Sequence, residues 1–523
     1  MPNKEKFYIT TSIPYLNAQP HLGHALEFVQ ADVIARYQRL FNKDVFLLSG
    51  TDEHGAKVMR AAAAAGKTPK EFVDDLSSKF WGLLLKMNIK NDDFIRTSDR
   101  LRHWPGAQLL WTKLRDSGDI YKNFYKGLYC VGHEAFVTEK DLNKDGLCED
   151  HKKAPEAVEE ENYFFRLTKY KDELKKKIAS GEIRILPESR KVETLNMLAN
   201  IGDISFSRPA KDIPWGVPVP GDATQTMYVW CDALPNYITA LGFGTENDAK
   251  FKKFWPADVH VIGKDIIKFH TIFWPAMLMS AGLPLPKTIF IHGFIHVKGE
   301  KMSKSLGNVV NPAPLIEKYG ADAVRFYLAH EIQAFEDSDY SGEHFHQVYE
   351  GLLVNGLGNL AARSLKMASV LGAITKPEEN AAARYPIKRN LDLLAAHEKT
   401  LALEEAAPVF LMDNLAWPKY KEAMERYDIS SAIKLVWSFL GRLDEYIEEY
   451  KVYKMLKEDP PGAKIILWQI LYSLASAAWM IKPFLPDTSE KILESLGVSS
   501  SSQDPWREFT PKSILHLFPR IQQ

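Results

Sequence analysis

The chain has 523 residues, 46% of them hydrophobic and 25% charged, enough for several sizeable globular cores. Its 66 basic and 67 acidic side chains nearly cancel, which excludes a polycation, so any nucleic acid must be met by local basic patches. Three cysteines exclude a disulfide framework and point to a reducing compartment.

The start, "MPNKEKFYITTSIPY", passes from a charged tail into a strand-like run without the apolar core of a signal peptide. Residues 7–13, "FYITTSI", read as a buried strand, and "PYLNAQP" as a loop. Next, "HLGHALEFVQADVIARYQRLF" carries Leu26, Val29, Val33, Tyr37 and Leu40 on one face of a helix. "DVFLLSG", residues 44–50, is a second apolar strand. Strand, helix and strand in so short a span make a βαβ unit and hence a parallel sheet.

Different material follows at 116–225: paired cysteines and histidines, the charged helical stretch "KYKDELKKKIASGE" and the proline-rich "SRPAKDIPWGVPVPG". A second block then resumes the first pattern, with "DVHVIG" (258–263) as strand, "KDIIKFHTIFWPAMLMSAG" as helix and "KTIFIHGFI" as strand. The simplest arrangement is a nucleotide-binding α/β domain of Rossmann type, split by an insertion. From about residue 350 strand signals fade, and "GNLAARSLKMASVLG", "SSAIKLVWSFLGRLDEYIEEYKVYKML" and "KIILWQILYSLASAAWMIK" predict a helical bundle. The apolar run "IILWQILYSLASAAWMI" is interrupted by Gln469 and is short for a membrane span, so it is expected to be a core helix. The expected protein is soluble, cytoplasmic and without a membrane partner.

Two short motifs carry chemistry. In "PHLGH", His21 and His24 flank Gly23 where the first strand–loop meets the first helix. In an open α/β sheet, ligands bind beyond the carboxyl ends of the strands, and a helix N-terminus offers free N–H groups to phosphate. Gly23 lets a flat base approach the backbone. In "KMSKS", Lys301 and Lys304 follow the last strand of the second block, which predicts that they reach the same sheet edge. Mobile ammonium groups suit a triphosphate whose charge shifts during reaction. An isolated H-x-x-H is usually a pair of surface or capping histidines, and a short basic loop usually a solvated turn. Together and in this order the two motifs are far more specific.

With "PYLNAQPHLGHALEFVQADVIARYQR", "GTDEHG", "YVWCDALPNYI", "GKDIIKFHTIFWPAML", "KMSKSLGNVV", "GADAVRFYL" and "NLAARS" in this order, the chain resembles the methionyl-tRNA synthetases, a family of class I aminoacyl-tRNA synthetases. The resemblance covers nearly the whole chain. It implies an ATP-dependent ligase that makes methionyl-adenylate and pyrophosphate, then passes the methionyl group to the terminal ribose of tRNA(Met), with Mg2+ accompanying ATP. It implies a split Rossmann-type catalytic domain at 1–115 and 226–349, a connective insertion at 116–225 with a knuckle at about 127–160, and an anticodon-binding bundle at 350–523.

By resemblance, His21, Gly23, His24, Gly263, Asp265, Lys301 and Lys304 hold ATP, and Ser303 belongs with the lysines to a loop that closes on the triphosphate. Asp52 receives the α-amino group of methionine. Ser12, Ile13 and Tyr15 form one wall of its pocket, Trp230, Ala233, Leu234 and Tyr237 another, and Ile266, Phe269, His270 and Trp274 a third. A long, flexible side chain with a soft sulfur suits such aromatic neighbours. Asn359 and Arg363 stand at i and i+4, so they share a helix face for an anticodon loop. Where the family usually has proline and tryptophan, this chain has Val452 and Tyr453, and Tyr453 retains a stacking surface for a base. The chain ends soon after this bundle, from which a monomer is expected. Enzymes of the class for leucine, isoleucine or valine carry a larger insertion. The remaining alternatives are another amino acid or a catalytically silent tRNA-binding relative.

The segment "CVGHEAFVTEKDLNKDGLCEDH" places Cys130, His133, Cys148 and His151 in two pairs, C-x2-H-x14-C-x2-H. Thiolate and imidazole in close pairs are zinc ligands. Family members carry knuckles here with one zinc, two or none, and the usual one-zinc pattern has cysteine where His133 stands. Four filled positions predict a closed structural Zn2+ site, with no open position for chemistry.

Overall fold

In the computed structural model, which describes residues 4–130, 135–137, 142–148, 152–302, 307–378, 380–387, 406–498, 507–512 and 516–521, the first apolar run forms strand β1 (Lys6–Thr10). Helix α1 (Leu22–Leu40) and strand β2 (Asp44–Thr51) follow, and β1 and β2 pair in parallel. The βαβ unit is present as the periodicity predicts. β1 stops sooner than residue 13: Thr11 and Ser12 still donate to the carbonyls of Leu48 and Val261, and the chain then turns off the sheet.

The chain divides into two compact units, Met1–Ala31, Gln38–Leu85 and Ile89–Gly293 in the first and Asp32–Tyr37, Lys86–Asn88 and Phe294–Gln523 in the second. The first is built on a six-stranded parallel sheet. Beside β1 and β2 it contains β3 (Asp93–Arg96), β4 (Arg184–Leu186), β5 (Val259–Gly263) and β6 (Thr288–His292), in the order β3-β2-β1-β5-β6-β4. The order reverses between β1 and β5, and there the crevice at the strands' carboxyl ends opens. Strand β4 lies inside the stretch that sequence patterning marks as inserted, yet it pairs with β6 at the sheet edge. Three residues are too few to show alternation. The rest of that stretch forms helices α2 (Lys171–Ser180) and α3 (Glu188–Ala199), an antiparallel four-stranded sheet around Ile120–Cys130 and Glu156–Phe165, and a smaller sheet around Asp222–Met227.

Helix α1 departs from the one-sided pattern expected of it, because every residue from Ala25 to Ala35 is buried. Its buried charges are paired. The Asp32 carboxylate lies 2.7 Å from Arg36 and 2.7 Å from Arg325, within the second unit. The helix after β5 is not one regular α-helix either. It runs as a 3-10 turn (Lys264–Ile266), a π-turn (Phe269–Phe273) and an α segment (Trp274–Ser280), and Pro275, with no N–H to donate, lies at the change to α.

In the second unit, the run "KTIFIHGFI" yields a separate strand, Ile295–Val297, which pairs with Glu300–Lys301 and Ser338–Asp339. Lys298 and Gly299 join the first pair with φ of 57° and 75°, the left-handed geometry of a two-residue hairpin. Helices α4 (Ala321–His330), α5 (Asn359–Val370), α6 (Ile429–Glu449), α7 (Pro460–Ile481) and α8 (Pro486–Leu496) follow. Asp428 and Asp459 cap α6 and α7 by accepting the N–H groups of Ser431 and Gly462. α6 was expected to run on through "KVYKML", but the chain turns at Lys451 (φ 46°) and starts a separate helix, Val452–Glu458. α7 is long and apolar enough to cross a membrane by length and composition, and it is mostly buried, packing on α5, α6 and α8 as the core helix of the bundle.

Candidate active site

At the mouth of the β1/β5 crevice, α1 begins with no acidic residue in its first turn, which leaves its positive end open to an anion. His24 Nδ1 accepts the His21 N–H, and His21 Nδ1 accepts the Gly23 N–H, both at 3.1 Å. The rings stack with centroids 3.8 Å apart. Since each Nδ1 accepts, the ring proton sits on Nε2, a donor suited to phosphate oxygen. Removal from water, and then the neighbouring rings of His21 and His292, hold the His24 pKa well below the ordinary imidazole value, so it is neutral at pH 7.

Behind the histidines lies a carboxylate that sequence patterning does not single out. Glu27 Oε1 accepts the backbone N–H of Ser12 at 2.7 Å and its hydroxyl at 2.6 Å, and Oε2 lies 3.1 Å from His292 Nε2. Burial opposes charge on His292, but the Glu27 carboxylate outweighs it and raises the His292 pKa. The signal was present as a charged residue one turn after His24 on an apolar helix. Gly263 ends β5 beside them. A methylene there would lie 2.8 Å from Asp265 Oδ1, so only glycine lets that exposed carboxylate fold back over the strand end.

The residues expected to form the amino-acid pocket come from separate segments. Tyr15 pairs with Asp52 in an isolated parallel bridge: Asp52 N–H donates to the Pro14 carbonyl and Leu16 N–H to that of Asp52. Ile13 packs against the same core. The next residue, Glu53, is fully buried and paired with Arg96 at 2.6 Å, which fixes the segment carrying Asp52. Trp230 stacks flat on Phe269, with centroids 3.8 Å and planes 8° apart, and His270 meets Trp230 edge-on at 6.0 Å.

His270 Nδ1 donates to the Ile266 carbonyl at 3.0 Å, so its Nε2 accepts the Tyr237 hydroxyl at 2.7 Å. Burial lowers His270 to about 4, so the ring is neutral. Burial raises the Tyr237 phenol well above its usual value, and the carboxylates of Glu27 and Asp52 add to the effect, which marks how these groups converge. Ala233 and Leu234 are buried in the surrounding core. Trp274 is fully buried behind the site, its indole N–H 3.3 Å from His260 Nε2.

Three further expected groups lie in other segments of the chain. Lys301 lies in the second unit with its ammonium over the Phe294 ring, 4.0 Å from the centroid, and Ser303 and Lys304 fall outside the described residues. Asn359 and Arg363 are both on α5. Asn359 is exposed, while Arg363 is paired with Asp444 and Glu448 of α6, and Tyr453 is 46% exposed. Cys130 and Cys148 are buried together around Val137, whereas His133 and His151 lie outside the described residues. No cluster of three or more metal-ligating side chains occurs among the described residues.

A parallel sheet with paired histidines at its switch point, followed by a helical bundle, is what this chain shares with the class I tRNA synthetases. The family model "tRNA synthetases class I (M)" matches residues 7–152 and 140–365, and "Anticodon-binding domain of tRNA ligase" matches 414–521. The methionine–tRNA ligase of Caldanaerobacter subterraneus is 41% identical over 95% of this chain and 74% of its own length, and that of Rhizobium meliloti 39% over 96% and 94%. The crystal structure of Mycobacterium tuberculosis methionyl-tRNA synthetase bound by methionyl-adenylate superposes with a TM-score of 0.88, at 36% identity, over 98% of this chain and 100% of that one. The chain belongs to the methionine–tRNA ligase family.

Proposed function

We infer that this chain activates L-methionine with ATP to methionyl-adenylate and pyrophosphate, then transfers the methionyl group to the terminal ribose of tRNA(Met). What supports this reading is the pair of Nε2-protonated histidines at a helix N-terminus by the sheet switch point, in the same unit as Asp52 and the Trp230–Phe269–His270 stack. In the first step a methionine carboxylate oxygen attacks the α-phosphorus, a P–O bond forms, and the bond to the pyrophosphate oxygen breaks. No side chain acts as nucleophile; alignment and charge stabilisation do the work.

His21 and His24 donate to phosphate oxygens, Gly23 and Gly263 admit the nucleotide closely, and Asp265 faces the adenosine. Asp52 takes the ammonium group. Ser12, Ile13, Tyr15, Trp230, Ala233, Leu234, Tyr237, Ile266, Phe269, His270 and Trp274 shape the side-chain pocket, where the Trp230–Phe269 stack suits a thioether. ATP enters as its Mg2+ complex, and the loop of Lys301, Ser303 and Lys304 closes on the triphosphate, the two lysines neutralising charge as it separates. In the second step the ribose hydroxyl attacks the adenylate carbonyl and AMP leaves. Asn359, Arg363 and Tyr453 meet the anticodon.

We further read 1–115 and 226–349 as the catalytic domain, 116–225 as its insertion and 350–523 as the anticodon-binding domain, in a cytoplasmic enzyme. Two buried thiols drawn into one small cluster fit a Zn2+ site in that insertion, held by Cys130, Cys148, His133 and His151. Such a metal supplies a structural cross-link only.

The test is ATP–pyrophosphate exchange with single amino acids. Methionine is expected to support it alone. No exchange with methionine removes the enzyme reading, and stronger exchange with another amino acid changes the substrate. Lys304→Ala should lower the exchange rate far more than methionine affinity, and equal losses would overturn its role.

A further inference from the structure

We propose that Asp232, held between His54 and His103, is a positioning residue that sets how strictly the pocket discriminates methionine from its analogues. The proposal rests on the function inferred above. Asp232 is 1% exposed and sits two residues after Trp230 and immediately before Ala233, so it belongs to the segment that forms one pocket wall. Its Oδ2 accepts from His54 Nδ1 at 2.5 Å and its Oδ1 from His103 Nε2 at 2.9 Å.

The two imidazoles come from different parts of the fold. His54 lies two residues after Asp52, and His103 immediately precedes the helix Trp104–Asp116. His103 Nε2 also lies 3.0 Å from the Asp232 carbonyl, while its Nδ1 is 2.9 Å from the hydroxyl of Thr239, two residues past Tyr237. The arrangement therefore spans the wall at both ends and ties it to the segment that presents Asp52.

The charge pattern is consistent along this chain of bonds. Burial pushes the Asp232 carboxyl up, but the two imidazoles outweigh that and hold it at about 2, so it is ionised and both ring N–H groups donate to it. His103 Nδ1 then accepts from Thr239, which fixes its tautomer. His54 is further held by the edges of Trp104 at 6.1 Å and Trp215 at 5.5 Å, and the Trp215 indole donates to the Glu53 carbonyl at 2.7 Å. A buried charged cluster is seldom more stabilising than apolar residues of the same shape, so filling space does not account for it. Hydrogen bonds of fixed direction do what apolar packing does not: they hold the Trp230 wall at one distance from the Asp52 carboxylate.

Steady-state exchange with methionine, norleucine and ethionine tests this on Asp232→Asn, His103→Gln and Thr239→Val. Asparagine keeps the size of Asp232 but cannot accept from both imidazoles. The first two variants should raise the KM for methionine and lower the methionine-to-norleucine preference by about tenfold, with the KM for ATP within about twofold. Thr239→Val removes the hydroxyl that meets His103 Nδ1 and, at 3.5 Å, the Asn236 carbonyl, with little change in volume, so it disturbs the fold least of the three, and should shift the same preference by about threefold. A merely structural role would lower activity with methionine and norleucine alike. Unchanged preference in folded variants, Thr239→Val included, overturns this proposal alone. A wild-type chain without methionine-dependent exchange removes the functional reading and this proposal with it.

Discussion

Trp230 is the side chain proposed to set the substrate boundary. It is only half-buried, and its flat stack on Phe269 leaves a polarisable face toward the pocket. Trp230→Ala should weaken methionine recognition about tenfold or more in exchange assays, with preference over norleucine and leucine reduced. Unchanged preference would remove Trp230 from the pocket. His270 adds a pH signature. Its pKa is near 4 folded and about 6.5 unfolded, so the unfolded chain binds the proton first as pH falls. The stability this provides is complete above pH 6.5 and is lost progressively down to pH 4, to a limit of about 3 kcal/mol. His24 and His260, also lowered, act in the same direction, and His292, raised by Glu27, acts in the opposite one. Urea unfolding at pH 7 and pH 5 should show a smaller loss for His270→Gln than for the wild-type chain.

At the scale of elements, α5 carries the anticodon candidates in an already engaged state. Arg363 pairs with Asp444 and Glu448, one turn apart on α6, so to meet RNA as proposed it has to exchange carboxylates for phosphate or base. Arg363→Ala should therefore lower the rate of tRNA charging at limiting tRNA, while methionine-dependent exchange stays unchanged. A parallel fall in both would place Arg363 in folding rather than recognition. Helices of regular period were legible in the sequence: α1, α5, α6 and α7 all form where their apolar spacing predicts. What period cannot report are local deviations. The Lys451 turn depends on one left-handed residue, the π-turn before Pro275 on a missing N–H, and β4 on edge pairing with a strand a hundred residues later. The same holds at the candidate site. His21, His24 and Asp52 stand in short motifs, while the pairings of Glu27 with His292 and of Asp232 with His54 and His103 join distant segments and are not legible from any motif.

For the molecule as a whole, the second unit is organised around a buried cation. The Arg325 guanidinium is fully buried, donates to the carbonyls of Met87, Pro483 and Phe484, and faces the Asp32 carboxylate at 2.7 Å. Breaking this by Arg325→Ala removes a cation that Asp32 faces and strands three carbonyls, and should cost about 3–5 kcal/mol in urea unfolding. A loss within about 0.5 kcal/mol, the range of ordinary surface changes, would show that water or Arg36 replaces it.

The edge strand Arg184–Leu186 has a consequence for anyone trimming this protein. The stretch after Asp116 invites excision, since it departs from the sheet and returns to it. Cutting out 116–225 would also delete the partner of Thr288–Phe290 and leave a naked row of backbone donors and acceptors. A shortened enzyme that omits those three residues is then expected to self-associate through that edge, whereas one that keeps Arg184–Leu186 tethered in place retains a closed border.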